Sequence, residues 1–139
     1  MSKAAPAAPA AGDELLGAAL DYAARGLFVL PLHETDAGGA CSCGKASCSS
    51  PGKHPRTPHG LKDATTHEAQ IRSWWSRWPR ANIGMNCGAS GRVVCDVDVK
   101  DARGGGETWR GLQAQLDGRE DGARLEDTSI VETPSGGLH

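Results

Sequence analysis

At 139 residues, with 38% hydrophobic and 23% charged, the chain has the length for one domain with a modest core. Its longest apolar run, LFVLPL, falls far short of the ~20 residues that cross a bilayer, and the opening MSKAAPAAPAAG has no export-signal pattern. The formal net charge of −2 excludes overall basicity, but residues 37–95 carry eight Lys/Arg against two acids and residues 96–132 ten acids against five Lys/Arg. A basic middle beside an acidic stretch suits a polyanion held next to metal-binding carboxylates; two ordinary solvated faces are the alternative. Five cysteines without an export signal fit thiols or a metal better than disulfides, and a cytoplasmic location with no membrane partner is expected.

Residues 1–12 read as a flexible Ala/Pro leader. Asp13 can cap a helix running to about Arg25, with Leu15, Leu16, Ala19, Leu20 and Ala23 on one side and Gly26 ending it. Leu27 to Leu32 is a buried-strand pattern. Residues 33–64 have almost no periodicity, and a loop of that length in a compact domain needs a function or a staple. Thr65 or Thr66 can cap a second helix, where Ile71, Trp74, Trp75 and Trp78 recur at helical spacing until Pro79; this spacing favours packing over base stacking.

Residues 82–87 and 92–99 predict two strands joined through the Gly88-Ala89-Ser90-Gly91 turn, 107–116 a third helix, and 128–132 a further strand before the turn at 133–137. Helices interleaved with strands give an α/β or α+β fold, loop-rich with its 19 Gly and 8 Pro.

The stretch VVCDVDVK, residues 93–100, places two acids in an apolar strand pattern. On a strand Val93, Cys95, Val97 and Val99 share one face, and Asp96 and Asp98 share the other. Carboxylates two residues apart, with Cα atoms roughly 6.5–7 Å from each other, repel unless one is protonated or a cation joins them. Mg²⁺ or Mn²⁺ resolves that conflict, since hard cations take oxygen ligands and bridge to phosphates. The plain alternative is a strand end whose acids reach water.

Cys41, Cys43, Cys48 and His54 form C-x-C-x4-C-x5-H, enough for a closed tetrahedral Zn²⁺ site that would staple the long loop. Free surface thiols are the alternative, and His59 competes with His54 for the fourth position. Cys87 and Cys95 are expected to pack within strands.

The ordered series GKHP (52–55), GLKDAT (60–65), WWSRWP (74–79) leading into NIG (82–84), VCDVD (94–98) and TPSGGLH (133–139) resembles the bifunctional DNA primase/polymerase N-terminal domain of the archaeo-eukaryotic primase superfamily. The resemblance runs from about Asp13 to the last residue and rests on the set rather than on one motif. It implies an α/β catalytic core with an RRM-like sheet and metal-dependent, template-directed nucleotidyl transfer in the replication of a plasmid, phage or mobile element. Asp96 and Asp98 match the family's first acidic, Mg²⁺- or Mn²⁺-binding motif. His139 matches a histidine that contacts the incoming nucleoside triphosphate, with Ser135, Gly136 and Gly137 as the turn that lets backbone approach it. The Cys/His loop resembles a zinc-binding insertion of some members. DNA template, primer and nucleoside triphosphates are the implied partners, with a helicase domain or protein alongside.

The family's third metal-binding carboxylate lies on a strand beyond this point, so residues 13–139 are expected to form the N-terminal part of a catalytic domain and, alone, not to extend a primer. Two other functions fit parts of the pattern. One is a non-catalytic, zinc-stapled DNA-binding remnant using Lys53, Arg56, Lys62 and Arg72 on phosphates, although each of these is by default a solvated charge. The other is a DxD metal-dependent glycosyltransferase, which would need neither the Cys/His loop nor the GGxH turn.

Overall fold

The computed structural model describes residues 11–96 and 105–117. The chain divides into two units, Met1–Arg92 and Val93–His139. Its described elements, three α-helices and a two-stranded antiparallel sheet, make a small α+β fold.

In the first unit, α1 (Ala11–Ala24) starts two residues before the expected cap, so Asp13 and Glu14 sit in its first turn, where carboxylates oppose the helix dipole. Gly26 ends it with φ of +79°, its N–H donating to Ala23 O at 2.9 Å while Leu27 N–H donates to Tyr22 O at 3.1 Å. Only glycine takes that left-handed conformation at little cost. The chain then enters β1 (Val29–Leu32), whose Val29, Leu30 and Pro31 are buried, as its unbroken apolar run requires.

β1 pairs antiparallel with β2 (Asn82–Met85) in the register Val29↔Met85 to Leu32↔Asn82. A Cβ on Gly84 would stand 2.7 Å from Leu32 Cδ2, so a side chain there would displace Leu32. The other edge of β1 meets residues 55–65 only through the isolated bridges Val29↔Thr65 and Leu32↔Pro55. Pro31 can accept on that edge, from Arg56 N–H at 2.9 Å, but cannot donate.

α2 (Glu68–Arg77) packs on α1 through Ile71 and Trp75, which close a core with Ala19, Ala23, Val29 and Ala81. Trp75 is 2% exposed and donates its Nε1–H to Ala81 O at 3.2 Å, so its one polar atom is satisfied. Trp74 and Trp78 pack against this core while half-buried. The N-cap of α2 is His67, and Thr65 Oγ1 accepts its N–H at 3.1 Å, so Thr65 braces the turn before the helix rather than the helix itself.

Among the described residues β2 pairs with β1, and no ladder joins it to residues 92–96, the described part of the second strand expected there. The turn after β2 is held by Ser90, whose Oγ donates to Asn86 O at 2.7 Å and accepts Phe28 N–H at 2.9 Å. Residues 92–96 have no regular secondary structure. Val93 is 97% exposed and Cys95 is also exposed, so the face that alternation marked for burial is uncovered among the described residues. In the second unit α3 (Gly105–Asp117) contains the expected third helix. Residues 97–99, the strand 128–132 and the leader 1–10 lie outside the described residues.

Candidate functional site

The long loop is a chain of local closures. Asp36 Oδ1 accepts Gly38 N–H and Ala40 N–H, each at 2.9 Å, and so forms a tight turn. The turn lets Thr35 pair with Cys41, and Ser42 N–H donates to Glu34 O at 2.9 Å. At the other end His33 N–H donates to His54 O at 2.9 Å, bringing His54 back beside the end of β1. Asn82 Nδ2 binds this junction, donating to Gly52 O at 3.0 Å and His33 O at 3.3 Å.

These closures gather Cys41, Cys43, Cys48 and His54, whose ligand atoms all lie within 4.8 Å of one another. His54 Nε2 is 3.4 Å from Cys41 Sγ and 3.5 Å from Cys48 Sγ. Zn–S bonds of about 2.3 Å and Zn–N bonds of about 2.0 Å in a tetrahedron place sulfur and nitrogen about 3.5 Å apart. The cluster can therefore hold a metal ion such as zinc. His59 is elsewhere: its Nδ1 lies 3.0 Å from Asp63 Oδ1 and its side chain is 74% exposed, which leaves His54 as the histidine of the cluster.

Protons in the cluster are unequally held. The Cys41 thiol is lowered to about 6, first by the backbone N–H of Gly52 and then by those of Cys43 and by His54. The Cys48 thiol is raised: Ser50's backbone N–H lowers it, but desolvation and the neighbouring Cys43 and Cys41 outweigh that help. One thiolate forms readily and a second is opposed, a conflict that a divalent cation relieves.

A supporting layer stands behind the ligands. The His33 ring packs on the His54 ring with centroids 4.3 Å apart, and its Nδ1 lies 2.9 Å from Ser42 Oγ. The Arg56 guanidinium, whose side chain is 11% exposed, reaches Glu34 Oε2 at 2.5 Å and Ser42 Oγ at 2.8 Å. Desolvation raises the Glu34 carboxyl, but the hydrogen bond and charge of Arg56 outweigh it and hold the group low. Arg56 also lies over the Trp78 ring, 5.3 Å from its centroid, tying the loop to the end of α2. Sequence reasoning missed His33, Glu34 and Ser42. The available signal was Ser42 between two ligand cysteines and a His-Glu pair directly after an apolar strand.

Of the four basic residues matched to DNA phosphates, Lys53 and Lys62 are exposed. Arg72 pairs with Glu68 at 2.8 Å while 54% exposed, and Arg56 is engaged as described. Cys87 is half-buried just after β2, whereas Cys95 is exposed rather than packed in a strand. Asp96 is exposed in the irregular segment, and Asp98, Ser135, Gly136, Gly137 and His139 lie outside the described residues.

The family model for the bifunctional DNA primase/polymerase N-terminal domain matches residues 19–139, which include the Cys/His cluster and both units' described helices from Ala19 onward. The chain belongs to this family. Neither the curated proteins nor the solved structures include a match to it. Among the described residues no helix is long and apolar enough to cross a membrane.

Proposed function

We propose that the chain serves template-directed, metal-dependent nucleotidyl transfer, as part of a DNA primase/polymerase that replicates a plasmid, phage or mobile element. The observation that carries this is the family match over residues 19–139, which extends through both acids and the terminal GGLH. Asp96 and Asp98 would hold Mg²⁺ or Mn²⁺, which supplies Lewis-acid stabilisation of the transferring phosphoryl group. His139 would hydrogen-bond the triphosphate, and the Ser135-Gly136-Gly137 turn would offer it backbone N–H groups. Zinc in the Cys41, Cys43, Cys48 and His54 cluster has a structural role, fixing a loop with few apolar contacts of its own. Lys53, Lys62 and Arg72 would meet DNA phosphates, while base pairing reads the template. A helicase domain or protein is the natural partner, supplying single-stranded template.

Isothermal titration tests the catalytic assignment. Mn²⁺ should bind weakly to the chain and more tightly with a nucleoside triphosphate present, because phosphate oxygens complete its coordination. The double variant Asp96→Asn/Asp98→Asn should lose that coupling and keep the wild-type circular dichroism spectrum. Unchanged coupling in the variant would remove both acids from the site and favour a DNA-binding role without catalysis.

A further inference from the structure

A second concave site lies on the first unit, away from the Cys/His cluster. It is an open cleft of about 670 Å³ between the 3₁₀ turn Gly60–Asp63 and the first turns of α2, lined by His59, Asp63, Thr65, His67, Gln70 and Trp74 among others. Its volume falls in the roughly 300–1,000 Å³ range of small-molecule pockets, though it is open to solvent on one side. Trp74 gives it an aromatic wall, held from behind by packing against the core.

Two of the polar groups around it are tied to each other. Asp63 Oδ2 accepts His59 N–H at 3.0 Å, and Asp63 Oδ1 lies 3.0 Å from His59 Nδ1. A carboxylate accepts only, so Nδ1 carries the proton of this bond and Nε2 is the ring nitrogen left for a ligand. Gln70, exposed one turn before Trp74, adds an amide that both donates and accepts.

Charge decides the class of ligand. No Lys or Arg lines the cleft, and its one permanent charge is the Asp63 carboxylate. A phosphate is therefore disfavoured inside it, whereas a neutral, flat, hydrogen-bonding ring suits it. Lys62, exposed in the same turn as Asp63, can take a flanking phosphate. We infer that this cleft seats an unpaired nucleobase of single-stranded DNA, stacked on Trp74 and hydrogen-bonded by His59 and Gln70. The inference rests on the DNA-directed function proposed above and gives that function a site for a base that is not paired. Duplex DNA, whose bases are stacked and paired, would offer it no free base.

The test uses the full chain and an oligodeoxynucleotide of about 12 residues, within the span such surfaces cover, carrying one iodouracil. Ultraviolet irradiation should link the base to the peptide bearing Trp74. His59→Ala and Gln70→Ala, both at exposed side chains outside the core, should weaken single-strand binding several-fold in fluorescence anisotropy. Trp74→Ala should weaken it on the order of tenfold or more, as loss of a base–aromatic stack does. Cross-linking elsewhere, with binding unchanged in His59→Ala and Gln70→Ala, overturns the cleft and leaves the DNA-directed function standing. Equal binding of duplex, or protection of the cross-link by free thymidine triphosphate at the same base concentration, overturns the assignment to a strand. Absence of any oligonucleotide binding at low salt overturns the inference together with the function beneath it.

Discussion

The imidazole of His33, the first residue after β1, lies against the imidazole of His54, with ring centroids 4.3 Å apart and planes inclined by 33°. His33 offers no ligand to the cluster, yet it limits how the His54 ring can turn. Residues behind a metal ligand that fix its orientation commonly contribute 10–100-fold in affinity. His33→Ala should accordingly raise the zinc dissociation constant by roughly 10-fold or more, measured by competition with a chromophoric chelator, while one metal per chain is still bound at saturation.

Replacing a ligand is a harsher change. Cys43→Ser should abolish stoichiometric zinc in metal analysis of protein purified under reducing conditions, where the unmodified chain carries one zinc. Structural zinc contributes directly to folding free energy, so residues 33–64 should exchange their amide hydrogens far faster in the variant. The α1/α2 core, which rests on Ile71 and Trp75, should keep its protection.

Acid should act on the metal-free chain through Cys41. Its thiol is lowered from 9.0 to about 6 in the folded state. The stabilisation this represents is fully present above the unfolded value and is lost as pH falls through about 6. Chelator-treated protein should therefore melt at a lower temperature at pH 6 than at pH 8, and Cys41→Ser should shrink that difference. Asp63 acts in the same direction in a more acidic range. The His59 backbone N–H lowers its carboxyl, so its contribution is present above the ordinary value of 3.8 and disappears below it.

In the core, Trp75→Ala removes the largest fully buried side chain and should cost about 3–5 kcal/mol in chemical denaturation. Gly84→Ala works by the opposite defect. The added methyl would meet Leu32 Cδ2 at 2.7 Å and Cγ at 2.9 Å, and overpacking of this kind costs about 1–3 kcal/mol.

Local pattern made much of this legible. The Ile71, Trp74, Trp75 and Trp78 spacing marked α2, the apolar run marked β1, and ligand count marked Cys41, Cys43 and Cys48 with His54, leaving His59 as its rival. Strand pairing was not legible, because alternation says that a strand has faces and not which strand lies beside it. The turn at 88–91 suggested a second strand over 92–99 joined there to 82–87, but among the described residues the partner of β2 is β1, with Val29 opposite Met85 and Leu32 opposite Asn82. Arg56 was opaque for a different reason. In sequence it resembles Lys53 or Lys62, and only the fold shows its guanidinium committed to Glu34, Ser42 and Trp78.

The backbone bond from His33 N–H to His54 O, followed by the Leu32↔Pro55 bridge, means that the chain leaves the sheet and rejoins it at one point. In topological terms residues 34–53 are the tip of an oversized hairpin whose stem is complete without them. Their length is then a free variable, since loop closure changes only slowly with the number of residues enclosed. A short turn grafted between His33 and His54 would leave β1, β2 and the α1/α2 core in register, and the same junction would accept a longer insertion. The metal-binding segment is thus a detachable cassette, able to be lost, exchanged or enlarged without redrawing the sheet that carries it.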